Sequence, residues 1–469
     1  EIGDWQTTYS VLPISIQDPD LFVDTDGRVY LYEESSNAHP IRGVELDPEH
    51  HYLPKDKEVD LFNLKPTQHG WERFGENHTS NMAPYLEGPW MTKHDGKYYL
   101  QYAAPGTEFN VYGDGVYVGD HPLGPFEYAP YNPISYKPGG FLTGAGHGST
   151  VEDNNGNYWH FATMPIAVNY KFERRIGLFP AGFEEDGQMY VNTAYGDYPH
   201  YLPGTEVSDH KNMFSGWMLL SYKKKAFANS VIEKGIKQKV IGRDMNAVNS
   251  DQTNFDISNI VDENIGSFWV ANGNDKSMKA TIDLGKKMKV YAVQINFQEF
   301  NANSFGRVPG LKHQFLIEKS DDGKNWTTMI DYSENKRDQP HAYIELDHPV
   351  DARFVRYRNV HTPNKYLAIS EFRIFGKGFG KKPSQPGKFE AVRQTDRRNA
   401  DLSWKPVKDA VGYVLYWGID KEKLNNSVMI YGENSYALRA LNVDQEYFFR
   451  VEAFNENGIS EQSRLKEVE

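Results

Sequence analysis

Cysteine is absent from all 469 residues. Disulfides, thiolate metal sites and cysteine nucleophiles are therefore excluded, and the absence is neutral about cellular compartment. Long apolar runs are missing too: nothing approaches the roughly 18 residues of a membrane helix, so no membrane span is expected. There is no basic stripe. The formal net charge is −13 with both signs dispersed along the chain, which makes nucleic acid and anionic membranes poor partners and otherwise reads as a solvated surface. No helical period persists through the first 222 residues. The chain opens on Glu1 rather than Met and shows no signal peptide, so it reads as processed, tag-cleaved or truncated.

What is present is aromatic and turn-rich. The 30 Tyr and 9 Trp suit β-structure and stacking on sugars, and suit any β-rich core as well. The length exceeds one hydrophobic core and implies two to four domains. Residues 1–222 alternate short apolar stretches with Gly and Pro turns, and 226–240 reads as a bridging segment. Residues 241–376 carry alternating strands separated by turns, as in a β-sandwich. A Gly/Lys/Pro linker (377–385) leads to a third unit, 386–469, a small sandwich with Trp404 expected in its core.

Three stretches of the first unit share one template: Asp18-Pro-Asp-Leu-Phe-Val-Asp-Thr-Asp-Gly27, Glu87-Gly-Pro-Trp-Met-Thr-Lys-His-Asp-Gly96 and His147-Gly-Ser-Thr-Val-Glu-Asp-Asn-Asn-Gly156. Each opens on a polar residue nine positions before a turn glycine, and an aromatic (Tyr30, Tyr99, Trp159) follows three positions after it. Strand, tight turn and aromatic strand make a β-hairpin. Its recurrence at 69 and 60 residues predicts propeller blades, with Asp18, Glu87 and His147 facing one axis.

In this order and spacing the motifs resemble the later part of glycoside hydrolase family 43, a five-bladed β-propeller. Asp18-Pro-Asp-Leu-Phe22, Glu87-Gly-Pro-Trp90, Leu123-Gly-Pro-Phe126, Gly146-His-Gly-Ser149 and Arg174-Arg-Ile-Gly-Leu-Phe179 carry that resemblance. Residues 241–376, through Asp262-Glu-Asn264, Trp269 and Ile369-Ser-Glu-Phe-Arg-Ile-Phe-Gly376, resemble the discoidin (factor 5/8 C-type) fold shared with family 32 carbohydrate-binding modules. Residues 386–469 resemble a fibronectin type III domain through Leu402-Ser-Trp404 and Tyr447-Phe-Phe-Arg-Val-Glu-Ala-Phe454. The implied fold is all-β: about three blades of the propeller, then two sandwiches.

The family-43 resemblance implies a secreted, periplasmic or cell-surface bacterial glycosidase without an organic cofactor. It would act by inversion on an oligosaccharide or polysaccharide and remove arabinofuranosyl, xylosyl or galactosyl residues. Glu87 matches the general acid, its apolar flanks disfavouring ionisation, and Asp18 matches the carboxylate that tunes it. Asp20, Asp24 and Asp26 read as turn residues. The family's general-base Asp belongs to an earlier blade and has no match here, which implies that two blades and the base lie upstream or come from a second polypeptide. His147 matches an axial histidine that holds Ca²⁺ or Na⁺ in many relatives; read alone, it is equally a core histidine. Arg175, in preference to Arg174, matches a substrate-contacting arginine. Trp90, Phe109 and Tyr112 read either as walls of a sugar subsite or as core. In the discoidin-like unit Trp269, Phe305, Arg307 and Tyr366 fall where such modules bind sugar, although Trp269 reads as buried, and a structural Ca²⁺ near Asp262 is expected. The fibronectin-like unit reads as a spacer. The competing reading of the whole is a non-catalytic carbohydrate binder on a degenerate propeller.

Overall fold

The computed structural model describes residues 16–165, 174–207, 213–241, 247–249, 254–298, 300–301 and 311–469. The three templated hairpins open three successive antiparallel sheets, the blades. Blade one runs Asp20–Val23, Val29–Glu33, Ile41–Asp47, with Leu53–Pro54 and Val59–Phe62 both paired to Ile41–Asp47. Blade two runs Leu86–His94, Lys97–Ala104, Gly113–Gly119, Phe126–Tyr128, and blade three Gly146–Glu152, Tyr158–Pro165, Arg174–Phe183, Met189–Val191. The turn glycines Gly27, Gly96 and Gly156 have φ of 84°, 76° and 84°. This left-handed backbone suits glycine and closes each hairpin. The aromatics three positions on, Tyr30, Tyr99 and Trp159, are buried.

The blades are joined by polar links that local sequence does not announce. Asp20 lies in the strand rather than a turn, whereas Asp24 opens the turn, its carbonyl accepting the Gly27 N–H at 2.9 Å, and ties the blades as well. Asp20 is buried and its Oδ2 accepts the Met91 N–H of blade two at 2.8 Å. Asp24 pairs with Lys93 and accepts the Tyr98 hydroxyl at 2.6 Å. Only Asp26 stays in an exposed turn, bonded to Arg28. Burial raises the Asp20 carboxyl to about 6 against the opposing Met91 and Leu21 N–H bonds. Burial acts upward on Asp24 as well, but Lys93 and the Tyr98 hydroxyl outweigh it and bring that carboxyl to about 2. Between blades two and three, Trp90 Nε1 donates to the Thr150 carbonyl at 2.9 Å, and the His94 ring stacks on Phe183 at 3.8 Å.

The second unit is one connected eight-stranded sheet that folds on itself as a sandwich. Its spine is formed by Lys279–Phe297, His341–His361 and Ala368–Lys377. Register shifts at Asp283/Met288 and Val290/Ala292 mark where the long strands bend between layers. The sheet begins earlier than the expected boundary at 241: Met218–Leu219 pairs with Gly376 and Phe375, and Lys225–Ala228 pairs with Asp283–Ala280. The apolar Met218 and Leu219 side chains are buried there, where the first unit meets the sandwich.

The third unit faces a three-stranded sheet against a five-stranded one, with Trp404 buried between them. It is no spacer. One continuous apolar core joins propeller residues such as Trp71, Tyr102 and Tyr136 to Leu402, Trp417 and Leu441 of this unit. Gly70 N donates to Leu441 O at 2.9 Å, and Val443 N donates to Gln68 O at 2.9 Å. The linker is also pinned: Gly378 N donates to Glu456 O at 2.7 Å and Gly380 N to Asn457 Oδ1 at 2.8 Å. Such contacts replace the usual mobile seam between domains with shared interior.

All three units meet at a buried ionic junction. Arg373 grips Glu263 with two bonds of 2.8 and 3.0 Å, and its Nη1 reaches Asp197 O (2.6 Å) and Gln294 Oε1 (2.9 Å). Tyr431 of the third unit donates to Glu263 Oε2 at 3.0 Å. Lys137 Nζ lies 3.2 Å from Asp197 Oδ2. Burial works against ionisation of Asp197, but Lys137 and Arg373 hold its carboxyl below the usual range.

Candidate active site

Asp18, Glu87 and His147 come together as the template predicts. Their nearest ligating atoms all lie within 4.8 Å of one another, and each residue is half-buried. Among the described residues this is the one group of three or more His, Asp or Glu side chains so placed. Backbone distortion aims them. Asp18 and His147 have φ of 47° and 49°, a region that costs a non-glycine residue about 1–3 kcal/mol and recurs at functional sites. Glu87 and His147 each sit where the ladder slips, between Glu87 and Trp90 and between Gly146 and Ser149. Such bulges re-aim a side chain at the edge of a sheet. The residue after Glu87 has to be glycine for a packing reason: a Cβ on Gly88 would lie 2.7 Å from the His147 ring.

Neighbouring groups hold each member. Ahead of Asp18, Gln17 O accepts the Glu34 N–H at 2.9 Å and Gln17 N donates to Glu33 Oε2 at 3.3 Å. Glu87 Oε1 accepts the Tyr112 hydroxyl at 2.6 Å, and Oε2 accepts the Ser35 hydroxyl at 3.2 Å. Burial, then the Glu87 carboxylate, push the Tyr112 hydroxyl well above its usual range, so it remains neutral. Beneath His147, Gly148 N donates to Asp114 Oδ2 at 2.9 Å, and the same oxygen lies 3.0 Å from His160 Nε2. His160 Nδ1 meets Thr150 Oγ1 (2.9 Å), which donates to Gln101 Oε1 (2.8 Å). Sequence reading missed Ser35, Asp114 and His160. Ser35 pairs directly with Glu87 from a two-residue strand, His160 lies on the strand next to that of His147, and Asp114 reaches the His147 strand from blade two; none carries a local signal.

The arginines and aromatics divide differently from the expectation. Successive residues of a strand point to opposite faces. Arg174 bonds Thr107 Oγ1 at 2.7 Å and is the positive charge that acts on Tyr112, so it belongs to the site's surroundings. Arg175, the preferred residue, instead lines a cavity between blade three and the sandwich. Of the three aromatics Tyr112 alone bonds Glu87. Trp90 is tied to Thr150 between blades, and Phe109 packs edge-on against Phe74 at 4.7 Å.

In the sandwich Trp269 is fully buried, and its Nε1 donates to Ser230 O at 2.9 Å. Tyr366 packs against Phe300, whereas Phe305 and Arg307 lie outside the described residues. The Asp262 carboxylate accepts the Ser267 hydroxyl at 2.6 Å and the Asn264 N–H at 3.0 Å.

Residues 1–189 match the family profile of glycosyl hydrolases family 43, residues 244–372 that of the F5/8 type C domain, and residues 384–468 that of the fibronectin type III domain. The chain is similar to a β-D-galactofuranosidase of Aspergillus niger, 30% identical over 142 residues that make up 30% of this chain and 35% of that protein. It is also similar to a xylosidase/arabinosidase of Butyrivibrio fibrisolvens, 27% identical over 211 residues, 42% of this chain and 39% of that protein. Among solved structures, a thermostable family-43 glycoside hydrolase aligns over 42% of this chain and 64% of its own, with 25% identity and a TM-score of 0.34. The chain spans 35–39% of the length of the curated relatives it matches. No helix among the described residues is long and apolar enough to cross a membrane. Three consecutive segments of the chain thus match, in order, the family models of glycosyl hydrolases family 43, the F5/8 type C domain and the fibronectin type III domain.

Proposed function

We propose that the propeller segment is the proton-donor part of a secreted glycosidase acting on plant polysaccharide side chains, with Glu87 as general acid and Asp18 as the neighbour that favours its protonated form. The observation that carries this is the convergence of Asp18, Glu87 and His147 within 4.8 Å. The spacing bears on roles. An inverting pair keeps its carboxyls roughly 6.5–9.5 Å apart so that a water fits between them. Asp18 stands closer than that and suits a tuning role, leaving the water-activating base to another carboxylate. The partners of Glu87 suit an acid too. Both are hydroxyls, and a hydroxyl can donate to a carboxylate or turn and accept from a carboxylic acid.

The same three groups, two carboxylates and an imidazole, could hold a metal cation. When bound, such an ion would supply positive charge at the propeller axis. If Glu87 were among its ligands it would stay ionised and could not give up a proton. The reading therefore assigns an axial Ca²⁺ or Na⁺ to His147, with Glu87 left free for acid chemistry. The names of the relatives, a galactofuranosidase, a xylosidase/arabinosidase and a β-xylosidase, support galactofuranosides, xylosides and arabinosides as substrates.

The test is turnover of phenyl glycosides of these sugars by the full chain, with and without added azide as a substitute for the base. Azide-dependent release of phenol that falls by about 10²–10⁴ in Glu87→Gln supports the assignment. Release that is equal in both proteins removes Glu87 from the mechanism.

A further inference from the structure

A cavity lies between blade three and the sandwich, lined by Arg175 rather than by any member of the trio. Its volume is about 190 Å³. That is the space of roughly six waters, or of one sugar ring, and too little for a chain of sugars. Met164 and Phe179 of blade three give it an apolar wall. Arg175 and His341, both half-exposed, stand with them, and Asp197, Gln294 and Asn296 complete the polar lining.

Two lining groups carry unspent hydrogen-bonding capacity. Asp197 and Asn296 are each 1% exposed by side chain or residue. Asp197 Oδ2 takes Lys137, Phe141 N and Leu142 N, but Oδ1 is buried without a hydrogen-bond partner. Asn296 Oδ1 meets His341 Nδ1 at 2.8 Å, but its Nδ2 is likewise buried without a partner. Leaving such groups unpaired costs about 1–3 kcal/mol each, so buried polar atoms of this kind ordinarily meet a ligand or an ordered water.

The two orphans are of opposite kind, an anionic acceptor and an amide donor. An anion would suit Asn296 and Arg175 but be repelled by Asp197. A cation would suit Asp197 but offer nothing to the amide N–H. An apolar molecule would leave both unpaired. A hydroxyl donates and accepts, so neighbouring hydroxyls on one ring satisfy both groups while the ring's carbon face meets Phe179 and Met164. We propose that this seam is a binding site for a single neutral sugar ring, distinct from the trio and built jointly by the propeller and the F5/8 type C domain. It explains why Arg175 faces away from Glu87. It does not rest on catalysis by Glu87, and its test reads binding alone.

The test is crystallography of the full chain soaked in D-xylose, L-arabinose or D-galactose, together with calorimetric titration of the same sugars. The expected result is density for one ring in the seam, with hydroxyls on Asp197 Oδ1 and Asn296 Nδ2. In Asn296→Leu this density should vanish and the corresponding affinity should weaken at least about tenfold, with the trio unchanged. Should that variant fail to fold, His341→Ala at the rim serves the same purpose. Water alone in the seam of the soaked wild-type crystals, or equal affinity in wild type and variant, overturns the proposal.

Discussion

The trio of the propeller and the ionic junction of the three domains both concentrate charged residues, but they treat them in opposite ways. At the junction Arg373 and Glu263 are fully buried, and their partners are fixed donors and acceptors. A guanidinium can only donate, so protonating its carboxylate partner breaks the arrangement. At the trio the residues are half-buried, and Glu87 is held by hydroxyls that work in either direction. The first arrangement locks one protonation state in place. The second permits two at similar geometry, which is what a proton donor needs.

The sharpest way to break this contrast is at the junction. Arg373→Met leaves Glu263 buried without its cation, while Asp197 keeps Lys137, and is expected to cost about 3–5 kcal/mol in chemical denaturation. Arg373→Met combined with Glu263→Gln should recover part of that loss. Glu87→Gln is the mirror experiment: stability within about 1 kcal/mol of wild type by the same denaturation curve, with the hydrolytic loss given above. If Glu87→Gln destabilised as strongly as Arg373→Met, the two regions would not differ in kind.

Two carboxylates four residues apart sharpen the comparison further. Asp20, raised to about 6 by burial, binds its proton more tightly folded than unfolded, so its contribution to stability falls as pH rises from about 4 to about 6. Asp20→Asn, which keeps an acceptor for Met91 N, should therefore be about 3 kcal/mol more stable than wild type at neutral pH and equal to it below pH 4. Asp24, lowered to about 2, contributes stability that is complete above about pH 4 and lost as the pH falls through about 2. Melting temperatures of Asp20→Asn and Asp24→Asn across that range should diverge in opposite directions. The smallest effect is expected for Trp90→Phe, about 1 kcal/mol for the lost bond to Thr150. Sugar turnover should be unchanged, and a raised KM would return Trp90 to the substrate wall.

What could be read from the sequence followed sequence distance. The hairpins were legible because turn glycine, aromatic and opening residue fall within a dozen positions, and the trio followed because blades repeat one register. Domain order was legible through strand runs such as Lys279–Gly285 and Tyr447–Phe454. Links between distant positions were not. Asp20 and Asp24 carry the same local context as a turn aspartate, and only their contact with Met91, Lys93 and Tyr98 marks them as blade-to-blade ties. The facing of Arg174 and Arg175 depends on strand phase, which two adjacent arginines cannot disclose. The start of the sandwich at Met218 was hidden because Met218–Leu219 is too short for a period-2 pattern to show.

The shared interior between blade two and the fibronectin type III unit has a practical corollary. A protease that nicked the chain near Phe379, a residue 63% exposed, would cut the covalent tether without parting the pieces. Both fragments should co-elute on a sizing column until denaturant is added. Grafted onto a foreign enzyme, the same module would present Trp417 and Leu441 with no cognate surface, and the chimera would be prone to aggregate.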